Sequence, residues 1–150
     1  MRIFGEGEQR AMLEGLVQSN ALSDSVQFVG HKSDREEIYT SGSIFCLVSR
    51  YEGFPLALFE AASYGLPIVS VDCASGPREM FALGEVGRLV PVDDRSRLAD
   101  ALIELAKDSG ARDHCGREAR KTAEVFSFES FGKRWRQYAT SLHAMRGRTS

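Results

Sequence analysis

Cysteine and proline are scarce in this 150-residue sequence, with three and four residues, and long apolar runs are missing altogether. Cys46, Cys73 and Cys115 are an odd number without C-x-x-C spacing, which argues against a disulfide framework and against a structural zinc site. A reducing cytoplasm is the fitting compartment. No stretch approaches the roughly 20 apolar residues that cross a bilayer, and no basic region followed by an apolar run opens the chain, so the expectation is a soluble or at most peripheral protein. Charge of one sign is also lacking. Nineteen Lys and Arg stand against 21 Asp and Glu, a formal net charge of −2, so nothing overall points to nucleic acid as a partner. Without internal repeats, low-complexity tracts or an evident linker, residues 1–150 read as a single domain.

What is present is ordinary globular material, 43% hydrophobic and 27% charged. A chain of this size buries roughly 70% of the surface its unfolded form exposes, so it needs no metal or disulfide to fold. Five short runs rich in β-branched and aromatic residues recur: Met1 to Phe4, Val26 to Val29, Ser43 to Val48, Pro67 to Val71 and Gly87 to Val90. Helical periodicity separates them. Glu8 to Ser19 places Met12, Leu13, Leu16 and Val17 on one face, and Pro55 to Tyr64 opens with a proline suited to a first helical turn. Strand and helix in alternation imply right-handed crossovers and a doubly wound, three-layer α/β domain built on one five-stranded parallel sheet.

Beyond Val92 the pattern becomes wholly helical. Asp93 or Asp94 can cap a helix from about Arg95 to Ser109, and Ala111 to Val125 forms a second. A third, about 127–143, carries Phe128, Phe131, Trp135, Tyr138 and Leu142 at three- and four-residue spacing, a stripe that calls for a packing partner in this domain or outside it. From Phe126 onward Lys133, Arg134, Arg136, Arg146 and Arg148 face the single acid Glu129, which suits a solvated helix face and also suits the inner face of an anionic membrane.

Ligands of open parallel sheets bind outside the carboxyl ends of the strands. After the first strand, Gly5-Glu6-Gly7 permits close backbone approach or a plain tight turn, and Arg10 replaces the third glycine of a dinucleotide fingerprint, which disfavours NAD. The third strand leads into Ser49-Arg50-Tyr51-Glu52-Gly53-Phe54-Pro55 and then an apolar helix interrupted by Glu60. Burying an unpaired carboxylate costs several kcal/mol, so Glu60 requires a cation, donors or a solvated cleft. Seven residues separate it from Glu52, and the two carboxylates suit sugar hydroxyls. Between them, the amides of Gly53 and Phe54 and the helix start favour phosphate oxygens. An ion pair of Glu60 with Arg50 or Arg78 is the alternative. After the fourth strand, Asp72-Cys73-Ala74-Ser75-Gly76-Pro77-Arg78-Glu79 is a second phosphate-friendly turn, in which Ser75 could equally be a helix cap and Glu79 a first-turn charge.

The ordered set Ser49 to Phe54, Glu60-Ala61-Ala62, Gly65 to Val69 and Gly76 to Glu79 resembles the donor-binding, C-terminal half of a GT-B retaining glycosyltransferase of family four. The resemblance extends to Gly5-Glu6-Gly7, to Val26 to Gly30 and to Gly87 to Pro91, and so covers almost the whole chain. It implies a Rossmann-like sheet with extra C-terminal helices and transfer from a nucleoside diphosphate sugar to a glycan or lipid-linked acceptor hydroxyl. Glu52 would contact the transferred sugar and Glu60 the ribose, while backbone around Gly53, Phe54, Pro55 and Leu56 would hold sugar and phosphate. Gly5 and Gly7 would allow close approach, and Gly30, His31 and Lys32 would flank the base. The reaction would need no metal, no cofactor and no protein nucleophile.

The family's first C-terminal-domain strand, with the Arg and Lys that bind the diphosphate, and its N-terminal acceptor domain have no counterpart here, so the domain reads as truncated at its N-terminal edge. Arg50 or Arg78 would then supply part of the missing positive charge. A bare apolar face would favour self-association or recruitment of the absent domain. A binding module or subunit without its own catalysis, and a fragment of a sugar-nucleotide epimerase, are the competing readings.

Overall fold

The structure, a computed structural model, describes the backbone of residues 1–146 and the side chains of residues 1–141. Packing divides the chain into two units, Met1–Gly42 and Ser43–Ser150.

In the first unit, β1 (Arg2–Phe4) and β2 (Gln27–Gly30) pair in parallel, joined by the crossover helix α1 (Arg10–Ser19), and α2 (Arg35–Thr40) follows. Arg10 anchors the start of α1, because its guanidinium meets Glu6 at 2.8 Å, Glu14 at 2.9 Å and the Phe28 carbonyl at 3.2 Å. The expected apolar face of α1 is not a core face: Met12, Leu13 and Leu16 are exposed and the helix buries no residue. Helix α2 has only six residues, too few to show a period. Its start is nevertheless written in the sequence, since the Asp34 carboxylate accepts the amides of Glu36 and Glu37 at 2.9 and 3.2 Å.

The second unit runs β3 (Phe45–Leu47), α3 (Leu56–Ser63), β4 (Ile68–Val71), α4 (Pro77–Phe81), β5 (Gly87–Val90), α5 (Arg95–Lys107), α6 (Ser109–Val125) and α7 (Phe128–Arg146). Its strands lie in the order β3-β4-β5, all parallel. Every residue of β4 is buried, the pattern of a strand covered on both faces. Val69 and Val71 pack with Val90, Ala101 and Leu105 beneath α5, and by strand alternation Ile68 and Ser70 face the opposite side.

All five expected strands exist and all pair in parallel, but the ladders form a two-stranded and a three-stranded sheet rather than one of five. Apolar runs reveal which segments are buried; they carry no information on which edges are neighbours.

Helix starts follow the acids. Asp94, not Asp93, caps α5 by accepting the Arg97 amide at 3.0 Å, and Asp108 ends α5 and caps α6 through the Ala111 amide at 2.9 Å. On α7, Phe128, Phe131, Trp135 and Tyr138 are exposed, and Trp135 and Tyr138 meet with ring centroids 6.1 Å apart. The side chains of Leu142, His143, Arg146 and Arg148 lie outside the described residues.

Candidate functional site

The loops leaving β3 and β4 at their carboxyl ends bring most of the expected site residues of the second unit together. Pro55 opens α3 in an inverse γ-turn, with φ −76° and ψ 77°, and the Leu56 amide donates to the Phe54 carbonyl at 2.9 Å. This corrects one expectation: the Leu56 amide is spent inside the chain. The Leu58 and Phe59 amides reach the Pro55 carbonyl at 2.9 and 3.4 Å. The amides of Gly53, Phe54 and Ala57 make no backbone hydrogen bond among the described residues, so they are the donors left at this helix start.

Glu52 is half-buried ahead of α3. Glu60 is half-buried too, one turn above the exposed Leu56 and on the same stripe as Ser63, while Leu58, Phe59, Ala61 and Ala62 face the core. Helical side chains lean toward the N-terminus, so Glu60 leans toward the first turn and the Gly53-Phe54 loop. The two arginines of these loops each meet an aspartate. Arg50 meets Asp93 at 3.0 Å, and Arg78 forms a two-pronged pair with Asp72. That guanidinium holds the Asp72 carboxyl below its ordinary range, chiefly by hydrogen bonding.

The two loops are locked to each other. The Ser75 hydroxyl donates to the carbonyls of Glu52 and Gly53 at 2.5 and 3.3 Å. Gly76 lies against the buried ring of Pro55, where an added β-carbon would come within 2.2 Å of Cδ. The Gly76 amide is not open to a ligand, because the Glu79 carboxylate accepts it at 2.7 Å and so caps α4. The turn expected to be a second phosphate site is therefore internally satisfied at that amide. Its role is to shape the neighbouring loop, which the sequence reading missed; the Gly76-to-Glu79 spacing, that of a capping box, was the signal for the Glu79 half of it. Phe54 completes the loop by stacking on Phe59, with ring centroids 4.6 Å apart, and Phe59 meets Phe126 at 4.4 Å.

In the first unit, Gly5 (φ +119°) and Gly30 (φ +85°) both take a backbone shape that favours glycine, and the Gly5 amide donates to the Gly30 carbonyl at 2.9 Å. This joins the loop after β1 to that after β2. Gly7 and His31 are exposed, and Lys32 pairs with Glu37 at 2.8 Å.

No group of three or more His, Cys, Asp or Glu is arranged to hold a metal ion among the described residues. Two cavities, of about 390 and 680 Å³, are lined by other residues. Burial pushes the Cys46 thiol in β3 upward from its ordinary value, which keeps it protonated. No helix among the described residues is long and apolar enough to cross a membrane.

Residues 1–122 match the family described as glycosyl transferases group 1. An exopolysaccharide phosphotransferase of Streptomyces coelicolor is 35% identical over 147 residues, which is 97% of this chain and 16% of the relative. Among solved structures, S. aureus TarM, determined with fondaparinux, α-GlcNAc-glycerol and UDP, superposes with a TM-score of 0.83 at 23% identity over 91% of this chain and 28% of its own. Sucrose-phosphate synthase from Thermosynechococcus elongatus gives 0.79 at 28% identity, over 96% of this chain and 38% of its own. The chain thus spans well under half the length of these proteins.

Proposed function

The chain belongs to the group 1 glycosyl transferases, with the fold of a GT-B C-terminal half, and from that premise we propose that it binds a nucleoside diphosphate sugar and supplies the donor half of a retaining transferase. The observation that carries this reading is the β3–α3 loop, where two half-buried carboxylates flank a helix start with unsatisfied amides. Carboxylates accept from sugar hydroxyls, and open amides at the positive end of a helix favour phosphate.

In this reading Glu60 accepts from the ribose and Glu52 from the transferred sugar, while the amides of Gly53 and Phe54 hold sugar and phosphate oxygens. Pro55 and Leu56 shape that turn. Arg50, exposed and paired with Asp93, is the loop's positive charge and supplies part of the charge that faces the departing diphosphate. For Met1–Gly42 the proposal names Gly5, Gly7, Gly30, His31 and Lys32 as donor-binding, on the family resemblance. The nucleoside diphosphate departs on the face that the acceptor hydroxyl enters, so configuration is retained without a protein nucleophile or a metal. The UDP in TarM and the exopolysaccharide chemistry named for the Streptomyces relative support a nucleotide-sugar donor and a glycan acceptor.

A second form of the same reading is that this chain binds donor without catalysing transfer by itself. Calorimetric titration with UDP, GDP and their sugar conjugates tests the common core of both. One nucleotide series binds if the reading is right; a folded chain that binds none contradicts it.

A further inference from the structure

We propose, resting on the donor-site reading above, that Ser75 is a positioning residue that aims the backbone amides of Gly53 and Phe54 at the donor. Ser75 lies one residue before the N-cap of α4, Gly76, whose amide the Glu79 carboxylate accepts. The Ser75 hydroxyl reaches across to the neighbouring loop, where its single proton is shared between the carbonyl oxygens of Glu52 at 2.5 Å and Gly53 at 3.3 Å.

Those two carbonyls belong to the peptide units whose N–H groups are the amides of Gly53 and Phe54. A trans peptide is planar, with C=O and N–H pointing in opposite directions, so gripping the oxygen fixes the direction of the hydrogen. Ser75 therefore sets, from behind, where both open amides point. Without that grip Gly53 has the widest backbone freedom of any residue type. The Gly76–Pro55 contact holds the far end of the same loop and cannot replace the grip, because Pro55 lies after both peptide units.

The test uses the full chain with Ser75→Ala and the hydroxyl-retaining Ser75→Thr, and two readouts. Without any nucleotide, ¹⁵N relaxation gives order parameters near 0.85 at Gly53 and Phe54 in the unmodified protein and in Ser75→Thr, and below about 0.6 in Ser75→Ala, while β4 keeps its rigidity. Unchanged order parameters in Ser75→Ala overturn the inference, whatever the nucleotides do. Titration with UDP-glucose and GDP-mannose then gives about three- to tenfold weaker binding of the recognised donor by Ser75→Ala, restored in Ser75→Thr. Loosened amides with unchanged donor affinity also overturn the inference. An unmodified chain that binds neither donor, UDP nor GDP overturns the donor-site reading instead, a result separate from the relaxation data.

Discussion

Gly76 sits so close to Pro55 that a β-carbon on it would lie 2.2 Å from the ring Cδ, and its φ of +96° is one that other residues rarely take. Steric overlap and backbone strain therefore act together at the contact that joins the β3 and β4 loops. Gly76→Ala is expected to destabilise the fold by about 2–4 kcal/mol. Urea unfolding measures this directly, and a loss below about 1 kcal/mol would mean that the loops are not held against each other.

Asp72 and Arg78 brace the same turn. The Asp72 carboxyl is held below its ordinary value of 3.8, so its contribution to stability is complete above that value and is lost as pH falls through the lower folded value. The unmodified protein should thus melt higher than Asp72→Asn near neutral pH, with the difference closing in acid below pH ~4. Melting temperatures across pH check this; curves that stay parallel into strong acid would contradict it.

Exposure separates two groups of large apolar residues. Leu58 is 0% exposed, and Leu58→Ala should cost about 2–5 kcal/mol through the cavity it leaves. Trp135 is 61% exposed, and Trp135→Ser should change the stability of this chain by less than about 0.5 kcal/mol. Equal losses in urea unfolding would show that the α7 stripe is packed.

Much of this was legible in the sequence, and the parts that were not share a physical reason. Strand identity follows from local composition: Pro67 to Val71 reads as a strand, and Ile68–Val71 is one. That Asp93 or Asp94 caps α5 follows from the preference of an acid for the first amides, and the structure selects Asp94. Pairing across distance does not. Nothing local to Phe45 reports that β3 bonds to β4, and nothing local to Ser75 reports that its hydroxyl crosses to Glu52. The α7 stripe shows the converse failure. Its spacing describes an amphipathic helix faithfully, but amphipathicity does not say what covers the apolar face. At the site, Glu60 stands out as an acid in an apolar helix and Glu52 by its spacing from it, whereas the loss of the Leu56 amide to a γ-turn depends on the dihedral angles of Pro55.

Glu52 and Glu60 have different tasks in the proposed site, and this division of labour is its central claim. The most direct test is calorimetry of a bare nucleoside diphosphate and its sugar conjugate against Glu52→Gln and Glu60→Gln, after circular dichroism has shown both variants folded. Loss of a charged hydrogen-bond partner predicts about 10- to 100-fold weaker binding of both ligands by Glu60→Gln. Glu52→Gln should leave the bare diphosphate unaffected and lose only the increment contributed by the sugar. Equal effects of the two variants on both ligands, or none on either, would contradict the account.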